Sequence, residues 1–303
     1  MPNTNSLVTV ICSCYNHSKY VEKSLDSVIN QTYKNIQLII IDDYSNDNSV
    51  EVIENWISKN QIGLLKKNDK NLGLTRSVNN SFKYVEGDFF IDLAADDKLL
   101  PHCIETQISV YKAYPNNLIG IVYGNARVID NNNNTIYTFY NKFSQSKKTT
   151  KPEEGFIYKE IINHSNTICS VSALINKKVF EELGGYDENL VYEDYDLWLR
   201  IARKHSILYV DDILVNRLKL NNSLGSTNYF RFNKKALKFK YSTYCIVKKT
   251  FKMNLSKEED QASIEKIYLE TKGNLKNLNV LLIIKYFILL LKFKFRILQF
   301  NKV

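Results

Sequence analysis

The chain reads as an α/β protein: a Rossmann-like, mostly parallel central sheet flanked by helices, with a C-terminal helical extension. Three features point there. Apolar runs alternate with helical periodicity through the first hundred residues, two acidic dipeptides stand about a hundred positions apart, and the positive charge is concentrated at the end. With 303 residues and 44% hydrophobic content, the composition suits a large domain plus an appendage and resembles neither a disordered nor a collagen-like chain.

Leu7 to Cys12 forms a buried strand pattern, Ser13 to Lys19 a polar turn, and Val21, Leu25, Val28 and Ile29 recur at helical spacing. Ile36 to Ile41 is a second apolar run, stopped by Asp42 to Asp47, whose Asp, Asn and Ser side chains favour a turn and a helix cap. Strand, helix, strand implies a parallel pair, and right-handed crossovers put Tyr15-Asn16 and Asp42-Asp43 on one rim. A turn at Asn71 to Arg76 leads into an amphipathic helix to about Val85, followed by Gly87-Asp88 and a strand over Phe89–Leu93 that ends at Asp96-Asp97. Ile119 to Tyr123 reads as a further strand, with the turn Asn131 to Asn134 opening a hairpin. Ser144 to Gly155 is polar, lysine-rich and without periodicity, as a mobile loop would be. Cys169 to Ile175 suggests a strand, Lys177 to Leu183 a short helix closed by Gly184-Gly185, and Asp194 to Lys204 an amphipathic helix.

Five cysteines without C-x-x-C spacing argue against zinc and against a disulfide framework, and a reducing cytosol is the expected setting. Cys12 and Cys14 fit an apolar strand as small packed side chains. His17, His102, His164 and His205 show no ligand spacing, so none is assigned a metal.

Carboxylates at the carboxyl end of a buried strand suit a metal-bound diphosphate, and a distant pair, Glu193-Asp194, could supply a base. In order, these residues resemble the inverting family 2 glycosyltransferases of GT-A fold, over about Val8 to Ser223. Tyr15-Asn16 is similar to that family's P-x-Y-N signature, and Asp42-Asp43-Tyr44-Ser45 to its D-D-x-S turn. Asn71-Leu72-Gly73 with Arg76 and Asn79 resembles N-x-G-x-x-x-x-R-N, and the stretch ending at Asp96-Asp97 the D-x-D station. Gly184 to Glu188 and Glu193 to Arg200 resemble the acceptor-side motif that carries the base.

The resemblance implies single-sugar, inverting transfer from a nucleotide-sugar donor, a UDP-sugar being expected, to a glycan or lipid-linked acceptor in surface polysaccharide synthesis. It implies Tyr15, Asn16, Asp42, Asp43, Asn71, Gly73, Arg76 and Asp96 as donor contacts, with Mg²⁺ or Mn²⁺ held by Asp96 and Asp97. Asp194, assisted by Glu193, is the candidate base, and Trp198, one turn on, the candidate face for an acceptor ring. A helix-capping role for Glu193-Asp194 is the plainer alternative.

Departures matter. Ser13 and Cys14 replace the proline neighbourhood, Ala94 stands for the first Asp of D-x-D-D, and Arg217-Leu218-Lys219 replaces R-x-H. A protonated lysine cannot ligate a cation but can neutralise a diphosphate, so Lys219 is expected to assist the leaving group with weakened metal dependence. The Q-x-x-R-W string of processive members does not follow Glu193-Asp194. A sugar-phosphate nucleotidyltransferase would open with G-x-G-x-R, which is absent after the first strand, and a non-catalytic nucleotide-sugar binding module is the remaining alternative.

The expected division is a transferase domain over 1–227, with a nucleotide half to about 110 and an acceptor half over 111–227, then a basic amphipathic tail over 228–303. That tail carries seventeen Lys or Arg against five Asp or Glu. Val280 to Leu291 is apolar apart from Lys285 and Tyr286, and the pattern continues through Lys292 to Leu298. It is too short and too charged to span, and reads as an interfacial helix on the inner face of the cytoplasmic membrane; packing on its own domain or in a homo-oligomer is the alternative. No nucleic-acid-binding motif accompanies the lysines.

Overall fold

The computed structural model describes residues 6–114, 118–140, 152–163, 168–220 and 234–300. Its sheet elements are β1 (Val8–Cys14), β2 (Ile36–Asp42), β3 (Leu64–Lys67), β4 (Phe89–Ala94), β5 (Lys98–Leu99), β6 (Ile119–Ile129), β7 (Thr135–Thr138), β8 (Leu174–Asn176) and β9 (Ser206–Leu218). Its α-helices are α1 (Val21–Ile29), α2 (Ser49–Asn60), α3 (Leu74–Ser81), α4 (Cys103–Ala113), α5 (Tyr158–Asn163), α6 (Lys177–Glu182), α7 (Asp194–Ala202), α8 (Lys234–Met253), α9 (Lys257–Lys276) and α10 (Val280–Phe300).

Nine strands form one sheet in the order β3-β2-β1-β4-β8-β6-β9-β5, with β7 paired to β6. The half built from β1 to β4 is parallel throughout, as the strand–helix–strand pattern predicts. Beyond β4 the sheet becomes mixed: β8 runs antiparallel to both β4 and β6, while β9 returns parallel to β6. β1 sits centrally, and Val8, Val10, Ile11 and Cys12 have no exposed surface. Ser13 lies opposite Ile41 on one side and Ala94 on the other, so three chains leave the sheet at the same level. That register decides where the site can be.

The helices that cover β1 and β2 follow their apolar stripes. α1 buries Val21, Leu25 and Val28, and α2 buries Ile53 and Trp56, whose indole N–H donates to Asp26 at 2.8 Å. α2 ends where Gln61 takes φ +56°, a left-handed stop. The expected helix to Val85 divides into α3 and a 3₁₀ turn over Phe82–Tyr84. The 131–134 turn closes the β6–β7 hairpin, with Asn133 at φ +63°. The strand expected over Cys169–Ile175 is instead a 3₁₀ turn at Ser170–Ser172 followed by β8, because the Ser172 hydroxyl accepts from Gly124 N–H and donates to a main-chain carbonyl, bending the segment. The free cysteines are packed: burial pushes the Cys12 thiol far up and that of Cys14 to about 11. Most of the 144–155 loop, residues 144–151, lies outside the described residues, while Gly155 bridges to Ile207.

The chain divides into two compact units. The first comprises Met1–Phe156, Ile168–Tyr186 and Lys204–Leu220, and holds the sheet; the second comprises Ile157–Thr167, Asp187–Arg203 and Asn221–Val303. The expected boundary at 227 therefore does not separate them, since α5 and α7 share a unit with α8, α9 and α10. Inside the second unit, Val247, Ile267, Tyr286, Leu289 and Phe293 form a core of their own. α9 starts at Ser256, whose hydroxyl accepts from Glu259 N–H, with Glu258, Glu259 and Asp260 in the favourable first turn. None of the described helices is long and apolar enough to cross a membrane.

Two glycines give opposite expectations. A Cβ on Gly87 would meet Thr9 N, Leu7 O and Phe89 O at 2.7–2.8 Å, all backbone, so Gly87→Ala should destabilise by about 3 kcal/mol or more. Nothing stands within 4 Å of a Cβ on Gly273 in α9, so Gly273→Ala should stabilise by about 0.5–1 kcal/mol. Urea unfolding midpoints of both variants check the pair.

Candidate active site

Loops leaving β1 and β2 are joined by main-chain and side-chain hydrogen bonds. Asp43 N–H donates to Cys14 O at 2.9 Å, Asn16 N–H to Ser45 Oγ at 2.9 Å, and Asn46 N–H to Asn16 Oδ1 at 2.7 Å. Asn16 takes φ +58° and Tyr44 φ +66°, conformations that such bonds hold in place. Tyr15 and Tyr44 stand exposed on either side of this junction. Further along, His17 N–H donates to Ser49 Oγ and Ser18 N–H to Asp47 Oδ2, each at 3.0 Å.

The two carboxylates at the end of β2 have different surroundings. Asp43 accepts from Leu72 N–H, Gly73 N–H and Asn68 Nδ2 at 2.8 Å, and from Ser77 Oγ at 3.0 Å. Those bonds fold the 68–77 segment onto the sheet end. Gly73, at φ +80°, is the turn residue that opens α3, and Asn71 Nδ2 donates to the Asp43 carbonyl at 3.2 Å. Arg76 follows on the exposed side of the first turn. Asp42 accepts from Ser45 N–H at 2.9 Å through Oδ1, whereas its Oδ2, although buried, has no hydrogen-bond partner. Both oxygens of Asp43 are therefore occupied by the turn, whereas Asp42 keeps one buried oxygen unanswered.

At the end of β4, Ala94 to Asp97 turns tightly through a bond from Asp97 N–H to Ala94 O at 2.9 Å. Asp97 is 3% exposed and accepts from Leu218 N–H at 2.9 Å. Burial and the neighbouring Asp96 raise its carboxyl, against the pull of Arg217 and the Leu218 N–H. This bond draws the Arg217-Leu218-Lys219 segment to the acidic turn, leaving Lys219 exposed one residue beyond. Asp96 remains accessible, with His17 Nδ1 3.9 Å from its Oδ1. Behind them Asp92 accepts from the Tyr186 hydroxyl at 3.2 Å; burial raises its carboxyl to about 6 despite that bond. Asn79 exchanges hydrogen bonds with the Tyr186 main chain, fixing the ring.

Whether these residues suit a divalent cation turns on Asp96. No cluster of three or more His, Cys, Asp or Glu able to hold a metal exists among the described residues. Mg²⁺ that arrives with a diphosphate needs only one or two protein carboxylates and keeps its waters, and Asp96 meets that need. Asp97, buried and bonded to main chain, is placed to brace the turn.

In the second unit, Glu193 occupies the N-cap position of α7 without a side-chain capping bond, and Asp194 opens the helix half-buried. Asp196 is buried and pairs with Arg200 at 2.7 Å and Lys249 at 2.5 Å, while Lys249 also reaches Asp187 at 2.6 Å. The Tyr195 hydroxyl donates to Ile162 O at 3.0 Å. These bonds fix the first turn of α7 against α5 and α8. Trp198 does not offer an acceptor platform: it faces the helix's packed side and is only 2% exposed.

His17 lay outside the motifs, and Asp92, Tyr186 and Arg217, although inside quoted motifs, were given no role of their own. His17 could have been found from its place in the turn after β1; the others act through contacts distant in sequence.

The model of Glycosyl transferase family 2 matches residues 9–184. A glycosyltransferase of Rickettsia typhi is 31% identical over 215 residues, covering 70% of this chain and 64% of the relative. An Escherichia coli UDP-Glc:alpha-D-GlcNAc-diphosphoundecaprenol beta-1,3-glucosyltransferase, WfgD, is 29% identical, covering 74% of this chain and 81% of its own. Among solved structures, S. aureus TarS in complex with UDP-GlcNAc superposes with TM-score 0.66 at 17% identity, over 86% of this chain and 71% of that one. Mannosyltransferase PcManGT from Pyrobaculum calidifontis, in complex with GDP-Man and Mn²⁺, gives 0.65 at 13%, over 92% and 74%.

The fold is GT-A, an α/β sheet flanked by helices with further helices at the C-terminal end. The chain belongs to glycosyl transferase family 2. It spans less than two thirds of the length of the first curated relatives it matches.

Asp92 gives a pH test. Its carboxyl titrates near 6 in the folded chain against an ordinary 3.8, so its stabilising contribution is complete below about pH 4 and lost as pH rises through about 6. Asp92→Asn, always neutral, should gain on the parent chain across that window, by on the order of 1–3 kcal/mol at pH 7.5. Paired melting curves at pH 4 and pH 7.5 read the difference.

Proposed function

We propose that this chain transfers one sugar, with inversion, from a nucleotide-sugar donor to a glycan or lipid-linked acceptor. The observation that carries the reading is the single rim where β1, β2 and β4 end, which brings together exposed Tyr15, the buried Asp42 Oδ2 that has no hydrogen-bond partner, and the partly exposed Asp96. An N–H of the donor's base satisfies Asp42, Tyr15 packs beside the ring, and Asn16, Asn71, Gly73 and Arg76 shape the nucleotide's surroundings. A UDP-sugar is favoured by the UDP-Glc in the name of WfgD and the UDP-GlcNAc in the TarS complex, though the same fold holds GDP-Man elsewhere.

Asp194 takes the proton of the acceptor hydroxyl as that oxygen bonds to the sugar carbon and the bond to the diphosphate breaks, with inversion at that carbon. Glu193 supports its charge state. Mg²⁺ or Mn²⁺ held by Asp96 would serve as a Lewis acid toward the departing diphosphate. The Lys219 ammonium shares that duty, which supports weaker metal dependence than a histidine in its place would give. The diphosphoundecaprenol acceptor in the name of WfgD supports a lipid-carried acceptor at the inner face of the cytoplasmic membrane, in surface polysaccharide synthesis.

Asp194→Asn should lower turnover by about 10²- to 10⁴-fold while leaving donor affinity within twofold, measured by nucleoside diphosphate release and calorimetry. Wild-type binding of donor without any release would favour a binding module instead. Asp96→Asn should weaken donor binding more with Mn²⁺ present than with chelator. Lys219→Ala should make turnover more dependent on added metal; identical activity and metal response would remove Lys219 from the mechanism.

A further inference from the structure

We propose that one face of α10 lies in the surface of an anionic bilayer. The inference rests on the reading above for its purpose, presentation of a lipid-carried acceptor, and on the helix itself for its chemistry. One side of α10 is accounted for: Leu282, Tyr286, Leu289 and Phe293 are buried, the last three in a core with Val247 of α8 and Ile267 of α9. The opposite side is apolar too. Leu281, Ile284, Ile288, Leu291, Phe295 and Leu298 recur at alternating spacings of three and four, and each is half or more exposed. Val280 and Phe287, also exposed, widen the strip. A continuous apolar face of this extent marks a contact surface.

Charge selects the occupant. Lys285 and Lys292 follow one edge of the strip and Lys294 the other, while no Asp or Glu occurs after Glu270. Lys285 Nζ lies 4.6 Å from the centroid of the Tyr241 ring and Lys294 Nζ 5.8 Å from that of Tyr268, both amphipathic aromatics half exposed beside the helix. Arg296 is bound to Asp260 and takes no part. The three-four spacing suits a helix seam, but a second copy of α10 would set lysine edge against lysine edge in either orientation, with no carboxylate to answer them. A bilayer with anionic headgroups matches both parts: the aliphatic strip enters the acyl boundary while lysine stems extend to the phosphates. The lysines also exclude a spanning role for this helix.

The test uses the full chain and flotation with vesicles of equal parts phosphatidylglycerol and phosphatidylcholine. The chain should float with these vesicles, less so in high salt, and weakly with phosphatidylcholine alone. Ile288→Asp with Leu291→Asp should abolish flotation, and Lys292→Ala with Lys294→Ala should lower the partition coefficient about fivefold per lysine. The lysine pair serves if the aspartate pair fails to fold by circular dichroism. No flotation, equal flotation with neutral vesicles, or a stable dimer that Ile288→Asp dissociates would each overturn the proposal. Nucleoside diphosphate release from the same variants separates the two readings: lost flotation with intact release fits this one, whereas intact flotation with no release in any variant sinks only the transferase.

Discussion

The four hydrogen bonds accepted by the Asp43 carboxylate are the constraint on which the rim at the ends of β1 and β2 depends. A buried carboxylate is stable only when its oxygens are answered, and Leu72, Gly73, Asn68 and Ser77 answer these. In doing so they hold the 68–77 segment against the end of β2 and set the start of α3. The Asn16 to Ser45 and Asn46 bonds add the loop after β1 to the same frame. The two loops and the start of α3 are thereby joined in one hydrogen-bonded rim.

Carboxylates that look alike in sequence divide by environment. Asp42, Asp43 and Asp97 are all buried and accept from main-chain N–H groups, but both oxygens of Asp43 are taken up by the 68–77 turn whereas Asp42 keeps one oxygen without a partner, and Asp96 alone of the four is partly exposed. At the end of β4 the Arg217 guanidinium and the Leu218 N–H offset part of the acidic charge on Asp97.

The second unit has its own logic. α7 is fixed by an ion network around the buried Asp196, which pairs with Arg200 and Lys249, and Lys249 also with Asp187. Such networks specify position more than they add stability. Here the position specified is the first turn of α7, where Asp194 sits. The same helix cluster leaves one side of α10 packed and the other bare, a division no hydropathy average reveals.

How much was legible depended on the range of the interaction. Alternation of period-two and period-3.6 patterns located β1, α1, β2, β4 and α6 through residues close in sequence, and the motif order announced the family and the GT-A fold. The β8 segment was misjudged because a hydroxyl on Ser172 bends it through partners on Gly124, far away in sequence. The boundary at 227 failed for a similar reason: α5 and α7 precede it but pack with helices that follow. Trp198 carried the right residue type for a sugar face, yet periodicity cannot say which side of α7 meets a neighbour. The sequence by itself determined fold class and the candidate carboxylates at the strand ends, since strand ends and turn residues are local facts. Only tertiary structure decided which carboxylate oxygens are saturated, as on Asp43, and which are not, as on Asp42, because hydrogen-bond saturation is a property of what folds against a residue.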